Sequence, residues 1–436
     1  MSFIDWDAIA DEAVDVLRQY IAIDTTNPPG NEDRATAFLA GLLAKDGIES
    51  RALIAAPGRA NLVAELPGES DAKPLVLLNH TDVVPVEADQ WQVNPFAGIL
   101  KDGYIWGRGA LDMKGMGVLE LMTMRMLKRR GVHLHRGVRF LAVADEEAGS
   151  EYGIEWIDRE HPDLLDAAFA INEGGYGATS YLGIERPLFG VSMSEKSPLW
   201  LTLRATGRPG HGSAPHDDNV LDRMVRAMGR IQTWKRPYLM TEPVAHALRG
   251  AHAEGYLDLN PDRASPQQIV DRYRSLRTLV SNTISATGLN TGIKHNVIPA
   301  TASATLDCRL VPGYEHERFI DEVRKTIDDP KVEIEVAFAS ASPSSTPETE
   351  LFGAIKDVCA EVMPEAALLP RVTAGFTDSR TLRRRGVPSY GFVPMLIAPD
   401  EQGGMHGNNE RVSVENIRLG VEVLYKVVER ACAVTD

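Results

Sequence analysis

Through its first 180 residues the chain alternates short apolar runs with stretches of helical periodicity. The segments "ANLVAEL", "PLVLLNH", "VRFLAVADEEAG" and "AAFAINEGG" predict buried strands, and "GMGVLELMTMRMLKRRG" predicts a helix with a basic C-terminal end. Strand–helix alternation of this kind predicts an α/β sheet with helices on its faces. The texture changes near residue 196, where "LWLTLRATG" alternates apolar and polar positions as a half-exposed strand does. A helix over "NVLDRMVRAMGRIQTW" comes next, then strands in "NTISATGL" and "TASATLDCRLVP", a helix in "HERFIDEVRKTID" and a strand in "KVEIEVAF". Together these read as an α+β insert. Residues 233–280 carry no clear pattern and are expected as extra helices of it.

The small, polar "ASASPSSTPETE" reads as a linker back to the first unit, which "LFGAIKDVCAEVM" and "SVENIRLGVEVLYKVVERA" complete as helices. The expected division is a catalytic domain in two parts, 1–193 and 343–436, around an inserted lid over 194–342. The N-terminal "MSFIDWDAIADEAVDVL" reads as an amphipathic helix. It lacks the basic and apolar regions of a secretory signal.

Composition narrows the function. A length of 436 residues supports two domains. The net charge of −15 opposes a nucleic-acid partner, since phosphate binding needs a basic surface. The three cysteines are widely separated, which argues against a disulfide framework or a thiolate zinc site. No apolar stretch reaches the roughly 18–20 residues that span a bilayer. The expectation is a cytoplasmic protein with no membrane partner.

Candidate chemistry gathers where the predicted strands end. His80 and Asp82 come after "PLVLL", Glu146 and Glu147 sit in "ADEEAGS", and Glu173 in "INEGG"; Asp112 and His406 lie in the glycine-framed "GRGALDMKG" and "GGMHGNNER". Taken singly, each is ordinarily a capping pair, a solvated helix start or an exposed loop histidine. Together they are two imidazoles and several carboxylates without thiolate, which suits zinc, manganese or cobalt. Two histidines and three carboxylates suffice for two ions if one carboxylate bridges them.

The segments "HTDVVP", "WGRGALDMKG", "DEEAGS", "NEGG", "GRPGHGS", "HNVIPATASATLDCRLVP" and "MHGNNERV" occur in order from residue 80 to 412 and resemble the M20 metallopeptidase family. That family includes aminoacylases, carboxypeptidases and succinyl-diaminopimelate desuccinylases. The resemblance implies a zinc-exopeptidase-like mixed sheet flanked by helices, an inserted lid that carries a homodimer contact, and two divalent ions, zinc first with manganese or cobalt as alternatives. It implies metal ligands at His80, Asp112 (bridging, with a cis peptide after it), Glu147, Glu173 and His406. Glu146 would be the general base, and Asp82 would orient His80 from behind. Substrate contacts would come from His211, which in dimeric relatives enters the neighbouring active site, from Asn296 and Arg309 for a terminal carboxylate, and from Gly375, Thr377 and Arg380 in "TAGFTDSR". Phe376 stands where the family usually has a second glycine.

The implied activity is hydrolysis of an N-acyl amino acid or short peptide with a free carboxylate, through attack of metal-activated hydroxide assisted by a glutamate base. A non-catalytic metal-containing sensor of amino-acid conjugates is the alternative from another class. The presence of Glu146 and all five ligands speaks against it.

Overall fold

The computed structural model of the protein describes residues 4–434. Strand Leu75–His80 shows how the sequence builds the larger of its two main layers. All six residues are buried, which in a strand requires cover on both faces. Leu75 and Leu77 pack with Leu17, Leu119 and Leu424 on one side, while Val76 and Leu78 pack with Ile154, Leu165 and Leu382 on the other. The period of two divides one apolar run between two cores.

This strand lies inside an eight-stranded mixed sheet in the order Ser50–Ala56, Arg59–Leu66, Val138–Val143, Leu75–His80, Phe169–Ala178, Ser389–Ile397, Leu188–Glu195 and Ala367–Thr373. Leu75–His80 runs parallel to both neighbours, as Phe169–Ala178 does to Ser389–Ile397. Helices Trp6–Ile21, Lys114–Arg129 and Val414–Cys432 pack together on one face. The first corresponds to the predicted N-terminal helix, of which positions 1–3 lie outside the described residues. Strands Ser50–Ala56, Leu188–Glu195, Ala367–Thr373 and Ser389–Ile397 are additions to those the pattern predicted.

The second layer is a four-stranded antiparallel sheet, Thr283–Thr291, Thr301–Leu310, Ser197–Thr206 and Val332–Ala339. Along Thr301–Leu310 the even positions Ala302, Ala304, Leu306, Cys308 and Leu310 point into its core. Helices Val220–Thr233 and His316–Ile327 cover that face through Met224, Phe319 and Val323. Each such side chain contributes roughly 1.5–3 kcal/mol when fully buried. The expected mixed α/β architecture with helices on a large sheet is therefore present, and the insert's predicted strands and helices form as read.

Residues 233–280 behave differently from the expectation. Helices Glu242–Ala253 and Pro266–Arg272 leave the small sheet and set Val244, Leu248 and Ile269 against Leu188 and Leu369 of the large one. The first of them covers its edge strand Ala367–Thr373. An uncovered edge presents a row of unpaired backbone groups, so covering it removes a template for aggregation. Among the described residues no helix is long and apolar enough to cross a membrane. Cys308, Cys359 and Cys432 are free and buried.

Candidate metal centre

Two central strands, one turn and two loops deliver the acidic and histidine side chains to one end of the large sheet. His80 is the last residue of its strand. After Val138–Val143 the chain turns through Asp145, held at a positive φ of 69°, into the single 3-10 turn Glu146–Ala148. Glu146 and Glu147 therefore diverge from a turn, beyond the point where the strand predicted over "VRFLAVADEEAG" stops at Val143. Glu173 lies within Phe169–Ala178, at a place where the next strand comes very close: a Cβ added to Gly175 would sit 1.8 Å from the Gly391 carbonyl oxygen. Asp112 lies in the loop before helix Lys114–Arg129, and its peptide bond to Met113 is cis, as the family resemblance implied. A small three-stranded sheet pairs Tyr104–Trp106 with Arg411–Ser413, which brings the His406 loop beside the Asp112 loop.

These residues form two trios that share one member. His80, Asp112 and Glu173 place ligand atoms together, and Asp112, Glu147 and His406 do so alongside. His80 Nε2 is 3.1 Å from Asp112 Oδ1 and 3.7 Å from Glu173 Oε1. His406 Nε2 is 3.1 Å from Asp112 Oδ2 and 3.2 Å from Glu147 Oε2. The two oxygens of Asp112 thus face different imidazoles.

The electrostatics of the cluster would favour a bound cation. Burial first, and then the Asp112 charge, push the Glu147 and Glu173 carboxyls up. Burial also raises Glu146, with Asp378 and Glu147 adding to it. His406 is pushed up to about 10 by its bonds to Asp112 and Glu147. Burial works against the charged form of Asp112, yet the two histidines hold its carboxyl well below the usual range. Glu147 Oε1 is buried with no hydrogen-bond partner, a costly state for an acceptor. Imidazole nitrogens and carboxylate oxygens around a surplus of negative charge fit divalent ions such as zinc.

Behind the two trios lies a ring of side chains that hold the loops. His80 Nδ1 bonds the backbone carbonyl of Asp82 at 3.0 Å, with the Asp82 carboxylate at 3.4 Å, so Nε2 is left to face the cluster. The Asp82 carboxylate itself accepts from the backbone N–H groups of Glu146 (3.1 Å) and Glu147 (3.2 Å) and from Asn27 Nδ2 (2.8 Å). Asn27 also donates to Asp145, which pairs with Arg59. On the far side, Glu410 accepts from the N–H groups of Gly109, Leu111 and Asp112 and from Arg108 Nη1 at 2.7–3.0 Å. Asn27, Arg59, Asp145, Arg108 and Glu410 escaped the sequence reading. The run "NPPG" after Thr26 and the glutamate inside "GNNER" were the available signals.

The expected substrate residues are distributed unevenly. His211 and Asn296 lie at adjoining short strands, Gly210–His211 and Val297–Ile298, with Gly212 N–H bonded to Asn296 O. Both are exposed, and none of their hydrogen bonds among the described residues reaches the metal cluster. Arg309 is on the small sheet, paired at two atoms with Asp307. Gly375 is exposed, whereas Thr377 is buried and donates to Glu195. Arg380 is fully buried; it donates to Thr377 O, Gly149 O and Ser150 Oγ, so it braces the turn that carries Glu146.

A mixed sheet whose central strands end at two histidine–carboxylate trios is in keeping with a hydrolase of a known kind: the chain belongs to peptidase family M20/M25/M40, matched over residues 76–430. It is a metal-dependent-family hydrolase acting on amide or peptide bonds. Among curated proteins it is 29% identical to aminoacylase-1 of Sus scrofa, over 97% of this chain and 96% of that one. Its fold is that of an M20 family metallo-carboxypeptidase from Sulfolobus solfataricus (TM-score 0.74, 19% identity, 97% of this chain and 99% of that one). Human carnosine dipeptidase 1 shares it too (TM-score 0.68, 17% identity, 98% of both chains).

Proposed function

We propose that the protein is a two-metal amidohydrolase that cleaves the amide bond of an N-acyl amino acid or short peptide bearing a free carboxylate. The observation that carries this reading is Asp112, whose two carboxylate oxygens face different histidines at 3.1 Å each. His80 and Glu173 would complete one ligand set, Glu147 and His406 the other. Two divalent ions bound there, zinc before manganese or cobalt, would supply Lewis acidity to the scissile carbonyl and acidify the attacking water.

The chain's own groups do the rest. Glu146 is buried beside the cluster and its side chain hydrogen-bonds nothing among the described residues, so its carboxylate is free to take a proton from water and return it to the leaving amine. Asp82 keeps the His80 tautomer and holds the Glu146–Glu147 turn at once. His211 is assigned to the developing oxyanion and Asn296 and Arg309 to the substrate carboxylate, with the loop at Gly375 and Thr377 beside them. The exposed edge strand Thr283–Thr291, with the outlying Ile293 side chain just beyond it, supports a homodimer contact on the small sheet. The three free buried cysteines are consistent with a cytoplasmic enzyme.

A hydrolysis screen of N-acyl amino acids against dipeptides, with defined metals added back, tests the reading. Glu146→Ala is expected to lower kcat by roughly 10²–10⁴-fold while leaving metal content intact. Full turnover by metal-free protein, or substrate binding without turnover by the metal-loaded form, sinks it. Light scattering of the purified protein tests the dimer.

A further inference from the structure

Phe376 occupies a position where the surrounding geometry makes unusual use of an aromatic ring. The Arg309 guanidinium lies 4.7 Å from its centroid and the Arg380 guanidinium 4.6 Å. The ring is steadied by Trp200, edge-on at 6.3 Å, and by Phe338 at 6.1 Å, which themselves pack at 5.0 Å. Arg309 is thus fixed twice. Asp307 takes its Nε and Nη2 at 2.7 and 3.0 Å, and Phe376 takes its face. Its Nη1 amine makes no hydrogen bond among the described residues, so the end of the fork is left open.

We propose that Phe376 is a positioning residue that holds Arg309 in place to receive the substrate's carboxylate. The inference rests on the role given to Arg309 above. A free arginine side chain loses considerable rotamer entropy when it grips a ligand. Here Asp307 and the ring face remove that freedom beforehand, and cation–π attraction supplies the hold. An unsubstituted glycine at 376 has no side chain with which to do this. The same ring touches Arg380, which donates to Gly149 and Ser150 behind Glu146. Three hydrogen bonds already hold Arg380, so the turn of the base does not depend on the ring as Arg309 does.

The test compares Phe376→Leu, Phe376→Tyr and Asp307→Asn, with Arg309→Ala as control. Each is assayed on whichever substrate the screen identifies and on that substrate's primary carboxamide, with thermal melts recorded alongside. Phe376→Leu, which keeps apolar volume without a π face, is expected to raise KM for the carboxylate substrate about tenfold, with little change in kcat. KM for the carboxamide is expected to stay put. Phe376→Tyr should keep the original KM, and Asp307→Asn should raise it in the same selective way, providing a second arm if Phe376→Leu folds poorly. An equal KM increase for both substrates, or none, overturns the proposal. If Arg309→Ala leaves KM unchanged, the role of Arg309 is wrong and the inference falls with it. If Arg309→Ala raises KM while Phe376→Leu and Asp307→Asn do not, the inference alone is lost.

Discussion

Single carboxylates in this site tie several backbone segments together, and Glu410 is the plainest case. Burial pushes its carboxyl up, against Arg108 and three backbone donors. With four donors aimed at two oxygens, a proton on the group would have no acceptor, so the carboxylate is the form that fits. Glu410→Gln turns an NH₂ toward those donors and loosens the loop that carries Asp112. Metal affinity is expected to fall roughly 10–100-fold, as read by competition with a chromogenic chelator; unchanged affinity for both ions would refute this. Glu32 is a contrasting case, since neither of its oxygens accepts a hydrogen bond among the described residues. One guanidinium, Arg59, faces both Glu32 and Asp145. Burial, then the Asp82 charge, push the Glu32 carboxyl up to about 8. The folded chain then keeps a proton that the unfolded chain releases near 4.5, so Glu32 makes stability fall as pH rises through that window. Glu32→Gln removes the titration and should gain stability relative to the parent across the same range. Urea midpoints below, within and above the window check this, and a pH-independent difference counts against it.

At the scale of elements, the strands that end in ligands were legible because their apolar runs are long and their ends are polar. Leu75–His80 could be placed from pattern alone, as could Val138–Val143, but not the turn at Glu146–Glu147 that comes after it. The mixed sheet's remaining strands were harder. Ser389–Ile397 and Leu188–Glu195 are buried on both faces and lack the alternation that marks a half-exposed strand. Residues 242–280 were illegible for another reason: their apolar positions answer to an edge strand about a hundred residues further on, a pairing no local window records. Site residues divided in the same way. The proposed ligands sit in motifs, whereas Asn27, Arg59 and Glu410 act through contacts that only the folded loops create. The tight pairing of Phe169–Ala178 with Ser389–Ile397 carries its own prediction. Gly175→Ala drives a Cβ into the Gly391 carbonyl, so the strands must part. Overpacking of this kind costs roughly 1–3 kcal/mol. A lower melting temperature should accompany weakened binding at the ion site that uses Glu173, and an unaltered melt would rule the account out.

Across the whole molecule, the two sheets differ in how they are protected. The large one has helices on both faces and a helical cover over the strand Ala367–Thr373, in which Leu248 is 1% exposed against Leu369. Leu248→Asp should lift that cover, and light scattering should then detect aggregation on mild heating, while the parent stays clear. The metal centre is equally a property of the entire chain. Glu410 accepts from the Asp112 N–H across 298 residues of sequence, and His406 lies four positions before it. At a synthesis rate of about 5–20 residues per second, His80 and Asp112 leave the ribosome roughly fifteen to sixty seconds before the histidine that completes the second trio. A nascent chain that has not yet reached His406 can present at most the first trio. On the proposed two-ion reading, full metal loading would therefore require that the segment carrying His406 and Glu410 has been made and has docked.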